Sequence, residues 1–387
     1  MQPLATHLAE QIGPDDTLYR QVALRLAELI EHGTLRAGER VPSMRRLSTQ
    51  EKISIATVTQ AYRLLESQGW LEARPQSGYY VRPRPFVAPP EPELTRPAAR
   101  ATRVSVGELV MQIVQAMGNT ELVRLGAACP DPSLMPSREL SRIMAAIGRR
   151  SPDLGNSYDV PPGVLALRKQ IARRTLEAGC TLAPDDIVTT CGAMEALNLC
   201  LRAVAQPGDT IAIESPAYFG FLQIIESLGM KACEVPTFPR EGVCLVDLEK
   251  RLDCCDITAC MFSTNFSNPL GSLMPDEKKK ALVELLAARD IPLIEDDLYG
   301  DLAFAPQRPK AAKAFDKKGL VLLCSSFSKT IAPGYRVGWA APGRYQAKVE
   351  HLKFVNTNSN AMLPQLAVAE FLALGGYDRH LRRVRKL

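Results

Sequence analysis

Six prolines, Pro83, Pro85, Pro89, Pro90, Pro92 and Pro97, fall within one short stretch, and no continuous helix or sheet can run through them. Each fixes φ and removes an amide donor, so the stretch is expected to be extended and semi-rigid. It divides the chain into a small domain over residues 12–82, a linker over 83–104 and a large domain over 105–387. A chain of 387 residues with 46% hydrophobic side chains can give the second domain a sizeable core.

Net charge is only +5, so nucleic-acid affinity, if present, is local. The candidate region is Leu35 to Arg63, where Arg36, Arg40, Arg45, Arg46, Lys52 and Arg63 face only Glu39 and Glu51. Ten cysteines show no repeated CxxC pairing, and the cluster Cys254, Cys255 and Cys260 has no histidine nearby, so no metal site is expected. No basic leader precedes an apolar segment, and no run reaches the roughly 18 apolar residues of a membrane span. The expectation is a cytoplasmic protein with reduced thiols.

In the small domain, Val22, Leu26, Leu29 and Ile30 recur at helical spacing, and Gly33 and Gly38 follow as stops. Ser43 can cap a second helix carrying Arg45, Arg46 and Leu47, and Ser54 a third whose Val58, Ala61, Tyr62 and Leu65 share a face. Trp70 to Ala73, the turn residues Pro75 to Gly78, and Tyr79-Tyr80-Val81 read as a two-stranded wing. The order Leu35-Arg36-Ala37-Gly38-Glu39-Arg40-Val41-Pro42-Ser43, then Thr57-Val58, Ala61-Tyr62 and Gly69-Trp70-Leu71, resembles the winged helix-turn-helix of GntR-type bacterial repressors. That resemblance implies double-stranded operator DNA as partner. Arg45 would contact phosphate or a base edge; Ser54, Ala56, Thr57 and Thr59 would start the recognition helix; Arg74 and Gly78 would bring the wing to the duplex. Arg46, Lys52 and Arg63 read as solvated charges and Tyr62 as core.

From about Leu122 the chain alternates short apolar runs with helical ones: Ile187 to Thr190, Thr210 to Ile213, Ala259 to Phe262, Pro292 to Ile294, and Leu320 to Cys324 are the strands. This is the α/β pattern of a mostly parallel sheet covered on both faces, whose ligands sit at strand carboxyl ends. Motifs cluster at those ends. Lys329, in Ser325-Ser326-Phe327-Ser328-Lys329-Thr330, offers an amine that can form a Schiff base with an aldehyde. Asp296 can keep a pyridine nitrogen protonated, Tyr299 and Asn268 can donate to a phenolate oxygen, and Ser326, Ser328 and Arg336 suit a phosphate dianion. The cofactor these fit is pyridoxal 5'-phosphate (PLP). Glu295 and Asp297 read as solvated or capping carboxylates.

These positions resemble the fold type I PLP enzymes of the aspartate aminotransferase family. The resemblance adds Gly192, Ala193 and Met194 as the phosphate-binding turn, Tyr218 as the aromatic stacked on the ring, and Tyr158 as a residue reaching the phosphate of a neighbouring subunit, which implies a homodimer. Met194 stands where the family often has a polar side chain, shifting the phosphate contact to amides, Ser326, Ser328 and Arg336. The chain reaches Leu387 only 58 residues beyond Lys329, and no residue takes the part of the family's carboxylate-gripping arginine. The expectation is a C-terminal small domain that is absent or truncated.

A GntR-type head on an aminotransferase-like domain resembles the MocR subfamily of transcriptional regulators. It implies a dimeric, PLP-binding transcription factor that responds to PLP or to an amino-acid or amine effector; the alternative is a PLP-dependent aminotransferase with an N-terminal regulatory domain.

Overall fold

A computed structural model describes residues 17–83, 90–117, 119, 128–305 and 307–386. Expectations that fall on residues 12–16, on 84–89 of the linker or on Leu122 lie outside the described residues. The chain forms two compact units, Met1–Pro90 and Glu91–Leu387.

The smaller unit comprises α1 (Leu18–Glu31), α2 (Met44–Glu51), α3 (Ile55–Ser67) and a hairpin of β1 (Leu71–Arg74) and β2 (Gly78–Val81). Both expected caps are present: Ser43 Oγ accepts from the Arg46 amide at 3.3 Å and Ser54 Oγ from the Thr57 amide at 3.0 Å. A serine acceptor there satisfies one of the amides a helix start leaves unpaired. Lys52, left-handed at φ 55°, makes the tight turn between α2 and α3. The hairpin pairs Leu71 with Val81 and Arg74 with Gly78 around a turn in which Gln76 also has positive φ. The core differs in one detail from the periodic reading. Ala23, Leu26 and Ala27 are the buried side chains of α1, while Leu29 lies at its rim. Tyr62 is fully buried and donates its hydroxyl to the Pro42 carbonyl at 2.6 Å.

In the larger unit one nine-stranded sheet runs β3 (Thr102–Arg103), β6 (Lys231–Phe238), β5 (Thr210–Ser215), β8 (Ile257–Phe262), β9 (Leu293–Asp296), β10 (Val321–Ser326), β11 (Gly338–Ala341) and β4 (Val188–Thr190), with β7 (Gly242–Val243) on β6. The five central strands β6, β5, β8, β9 and β10 are parallel; β3, β11 and the β4–β11 pair are antiparallel additions. Helices α4 (Gly107–Met117), α5 (Ser137–Arg150) and α6 (Leu165–Thr175) precede β4, and helices cover both faces of the sheet. Ile211 and Ile213 of β5 pack with Leu197, Leu201, Phe221 and Ile225 of α7 (Ala193–Val204) and α8 (Phe219–Ser227), whereas the intervening Ala212 packs with Leu248 and Leu282 on the opposite side. Each such buried side chain contributes about 1.5–3 kcal/mol, which is why the strands read as apolar runs rather than alternating ones.

β6, at eight residues the longest strand, carries no sequence signal of its own, because Lys231, Glu234 and Pro236 interrupt its apolar run. Pro236 costs β5 no ladder bond, because its carbonyl faces the other way, accepting from the Cys244 amide at 2.8 Å, and the amide hydrogen it lacks would point to that same side. The proline-rich stretch is bonded to this unit from Glu91 onward. Thr95 donates to the Ser215 carbonyl at 2.6 Å, the Arg251 guanidinium to the Pro97 carbonyl at 2.9 Å, and β3 pairs with β6.

Candidate functional site

Four strand ends and the turns after them bring the expected cofactor residues to one edge of the sheet. β9 ends at Asp296 and leads to Tyr299, β10 ends at Ser326 and leads to Lys329, β8 leads to Asn268, and β4 leads through Cys191 to Gly192 at the start of α7. Register aligns them: Asp296 lies opposite Cys324, and Gly338 lies between Ser326 and Thr190.

Asp296 is 7% exposed, and its Oδ1 has no hydrogen-bond partner. Burial, and then the adjacent Asp297 charge, push its carboxyl up to about 7, against a smaller opposing pull from Lys329. Tyr299, bonded to Asn268, is raised to about 12, first by burial and then by Asp296. Tyr218 is raised for the same two reasons and stacks at a tilt on Phe219, with centroids 4.8 Å apart. Lys329 Nζ donates to the Ala128 carbonyl at 2.8 Å and lies 3.8 Å from Cys129 Sγ, two neighbours with no motif to announce them.

The expected phosphate residues Gly192, Ser326, Ser328 and Arg336 contact one another. Gly192 adopts φ 84°, ψ 175°, a conformation essentially restricted to glycine. A Cβ there would run into the Arg336 guanidinium, which donates to the Cys191 carbonyl at 2.9 Å and to Ser328 Oγ at 3.4 Å. The Ser328 amide donates to Ser326 Oγ at 3.3 Å. Ala193 begins α7, so backbone amides, helix dipole and guanidinium converge on one spot. Met194 packs with Tyr218 against the apolar cluster rather than adding a polar group. Glu195, one turn in, fixes this helix start: burial pushes its carboxyl up, but Lys353 at 2.8 Å, the Cys191 amide at 2.6 Å and Thr357 outweigh that and hold it below the ordinary range. Tyr158 stands apart, 82% exposed.

Glu295 and Asp297 are not solvated; both are buried, because Glu295 lies in β9 and Asp297, just past its end, still donates its amide to the Cys324 carbonyl of β10 at 3.0 Å. Glu295 does cap, accepting the amides of Ala312 and Lys313 at 2.6 and 3.0 Å at the start of a short helical turn. Asp297 pairs with Arg308, a residue in an irregular loop without any periodic or motif signal.

The donor set fits a planar phosphorylated pyridine: a buried carboxylate with an unpartnered oxygen, a nearby amine, a Tyr–Asn pair, and a glycine turn facing an arginine. In the smaller unit, Arg45, Arg46, Ser54 and Ala56 are exposed on one end of α2 and α3, whereas Thr59 returns its hydroxyl to the Ile55 carbonyl at 2.8 Å. Arg74 is bonded to Glu72 at 2.6 Å and stacks 4.3 Å over the Tyr80 ring; Gly78 at φ 106° lets the Arg40 guanidinium lie against the wing turn.

Such a pairing of a winged helix-turn-helix with an aminotransferase fold defines a class of transcription factor. The pattern for bacterial regulatory proteins of the gntR family matches residues 18–81, and that for aminotransferase class I and II matches residues 134–373. The Escherichia coli K12 protein YjiR, named an uncharacterized HTH-type transcriptional regulator, is 42% identical over 96% of this chain and 79% of its own length. The Pyrococcus horikoshii kynurenine aminotransferase, solved with PMP, is 27% identical with a TM-score of 0.66 over 74% of this chain and 71% of that one. The Thermus thermophilus α-aminoadipate aminotransferase LysN, complexed with N-(5'-phosphopyridoxyl)-L-leucine, is 26% identical with a TM-score of 0.62 over 73% and 74%. The chain belongs to the GntR-type regulators fused to an aminotransferase class I and II domain, the arrangement of the MocR subfamily.

Proposed function

We propose that this chain binds operator DNA as a homodimer and holds pyridoxal 5'-phosphate at the sheet edge around Lys329, so that PLP or an amino compound reaching it changes DNA binding. The observation that carries the reading is the buried, unpartnered Oδ1 of Asp296 beside Lys329. Leaving a carboxylate oxygen buried without a partner costs several kcal/mol unless a ligand completes it, here a protonated ring nitrogen.

Bound there, PLP supplies an electrophilic aldehyde on an electron-withdrawing ring. Lys329 offers the amine, Asp296 holds the proton on the ring nitrogen, and Tyr299 and Asn268 orient a ring oxygen. Tyr218 covers the ring. Gly192, Ala193, Met194 through its amide, Ser326, Ser328 and Arg336 take the phosphate, and Tyr158 of each subunit completes the site of the other. Arg45, with Ser54, Ala56 and Thr57 at the start of α3, meets the duplex, supported by Thr59, Arg74 and Gly78.

The test is to add PLP to the full chain, record the near-visible absorption band, and repeat with Lys329→Ala. DNA selected from a random pool by the full chain is then titrated with and without PLP. A band that survives in Lys329→Ala, or operator affinity indifferent to PLP, overturns the reading. The alternative, an aminotransferase with a regulatory head, is favoured by the complete amine–carboxylate–tyrosine set. It is preferred if amino acids with 2-oxoglutarate give sustained turnover of roughly 1 per second or faster without selective DNA binding.

A further inference from the structure

Glu295 and Asp296 end β9 and Asp297 follows directly, 0%, 7% and 3% exposed. Three carboxylates this close and this dry repel one another strongly, so each needs its own compensation. Glu295 has the Thr264 hydroxyl at 2.5 Å and two amides. Asp297 has Arg308 Nη2 at 2.5 Å and Asn265 Nδ2 at 3.0 Å, and Asn265 is in turn held by the buried Lys279 ammonium at 2.7 Å. Only Asp296 keeps an oxygen without a partner.

Arg308 is built in for this pairing. Its Nε lies 2.6 Å from Asp301 Oδ1, its Nη1 donates to the Pro309 carbonyl at 2.9 Å, and its side chain is 11% exposed. A Cβ on Gly300 would overlap both the Asp297 carboxylate and the guanidinium, so the backbone leaves a slot for the arginine. None of these hydrogen bonds goes to a residue assigned to the cofactor.

We propose that Arg308 is a positioning residue for the cofactor site, acting through Asp297: it cancels that carboxylate and leaves Asp296 as the single uncompensated anion at the strand end, reserved for a ligand's protonated ring nitrogen. The proposal deepens the PLP reading and rests on it. Asp297 is already the main charge opposing ionisation of Asp296. Without Arg308 its full field would act on Asp296, whose carboxyl would take up a proton and no longer pair with a cation.

The test is a double-mutant cycle on the full chain, reading PLP affinity from the absorption band. Arg308→Met should weaken PLP binding on the order of 10- to 100-fold, the range seen when the group supporting a ligating side chain is removed. In the Asp297→Asn background the charge beside Asp296 is gone, and the Asp301 carboxylate that Arg308 also touches keeps Arg174 at 3.4 Å and the Tyr377 hydroxyl at 2.7 Å, so Asp297→Asn and Asp297→Asn/Arg308→Met should bind PLP within about threefold of one another, and Asp297→Asn no more weakly than the unmodified protein. A loss of tenfold or more on adding Arg308→Met to Asp297→Asn would make the arginine a structural prop and overturn the proposal. That comparison stands even if Arg308→Met alone fails to fold, because both of its members lack the unpaired Asp297 charge. Wild-type protein without a Lys329-dependent band would instead sink the underlying PLP reading, which separates the two failures.

Discussion

Replacing Gly192 by alanine tests whether the turn before α7 is shaped for a phosphate by its backbone. At φ 84°, ψ 175° a β-carbon is strained by about 1–3 kcal/mol. The turn cannot relax away from Arg336, because Gly338 backs onto it so closely that a Cβ there would strike the Gly192 backbone. Arg336 must therefore move and give up its bonds to the Cys191 carbonyl and Ser328; it is exposed, so solvent screening limits that loss to about 0.5–1 kcal/mol. The sum is about 1.5–4 kcal/mol. Gly208 is the control: φ is 96° but nothing lies within 4 Å of its virtual Cβ, so Gly208→Ala carries the backbone strain alone, about 1–2 kcal/mol. The assay is urea unfolding in a Trp70→Phe background, where Trp339 of β11 is the remaining indole and reports on the larger unit. PLP affinity should fall at Gly192 and hold at Gly208. Equal losses of stability with PLP affinity intact in both would refute the collision with Arg336.

Asp296→Asn should separate binding from stability. The carboxyl is raised from 3.8 to about 7, so folded wild type without ligand loses stability as pH climbs between those values, and the variant should be more stable by a few kcal/mol near pH 8 and equal near pH 4. Denaturation at both pH values checks this, and a gain independent of pH removes the buried charge as its cause; PLP affinity should fall. Lys353→Met strips a 2% exposed ammonium from Glu195, Thr357 and Asn360 and should destabilise the larger unit by about 3–5 kcal/mol in the same unfolding assay, with no change meaning that Glu195 finds another partner. Arg45→Ala should cost about 1–3 kcal/mol of operator binding if it reads a base, or flatten the salt slope by about one if it meets phosphate. Arg74→Ala should cost less, since Arg74 is already engaged by Glu72 and Tyr80, and salt titrations that rank the two the other way refute this.

The clustering of the proposed cofactor residues is legible because each sits on or just after the carboxyl end of a short apolar strand, where a sequence shows both the run and the motif that follows it. Asp296 and Lys329 follow Leu293-Ile294 and Val321-Leu322-Leu323 almost without interruption, and the helix caps Ser43 and Ser54 were equally local. β6 is hidden for the opposite reason: β5 pairs it on one side and β3 and β7 on the other, while Lys231 and Glu234 stay exposed and only Ala232, Cys233 and Val235 enter the cores on the two faces, so its sequence shows no apolar run. Glu295 reads as a cap and is one, but its burial and that of Asp297 are not legible, because charge in a sequence suggests solvent, whereas here it is answered 11 to 18 residues further on, by the Ala312 and Lys313 amides and by Arg308. Those partners lie in a short helical turn and a loop that no periodicity marks. Lys329 has the same dependence, since its amine rests on Ala128, 201 residues away. What a chain of this kind conceals is therefore how its charges are compensated. The end of β9 brings three acids together, the segment from Arg308 to Lys313 answers two of them, and the remaining oxygen on Asp296 is where the proposed ligand's charge belongs.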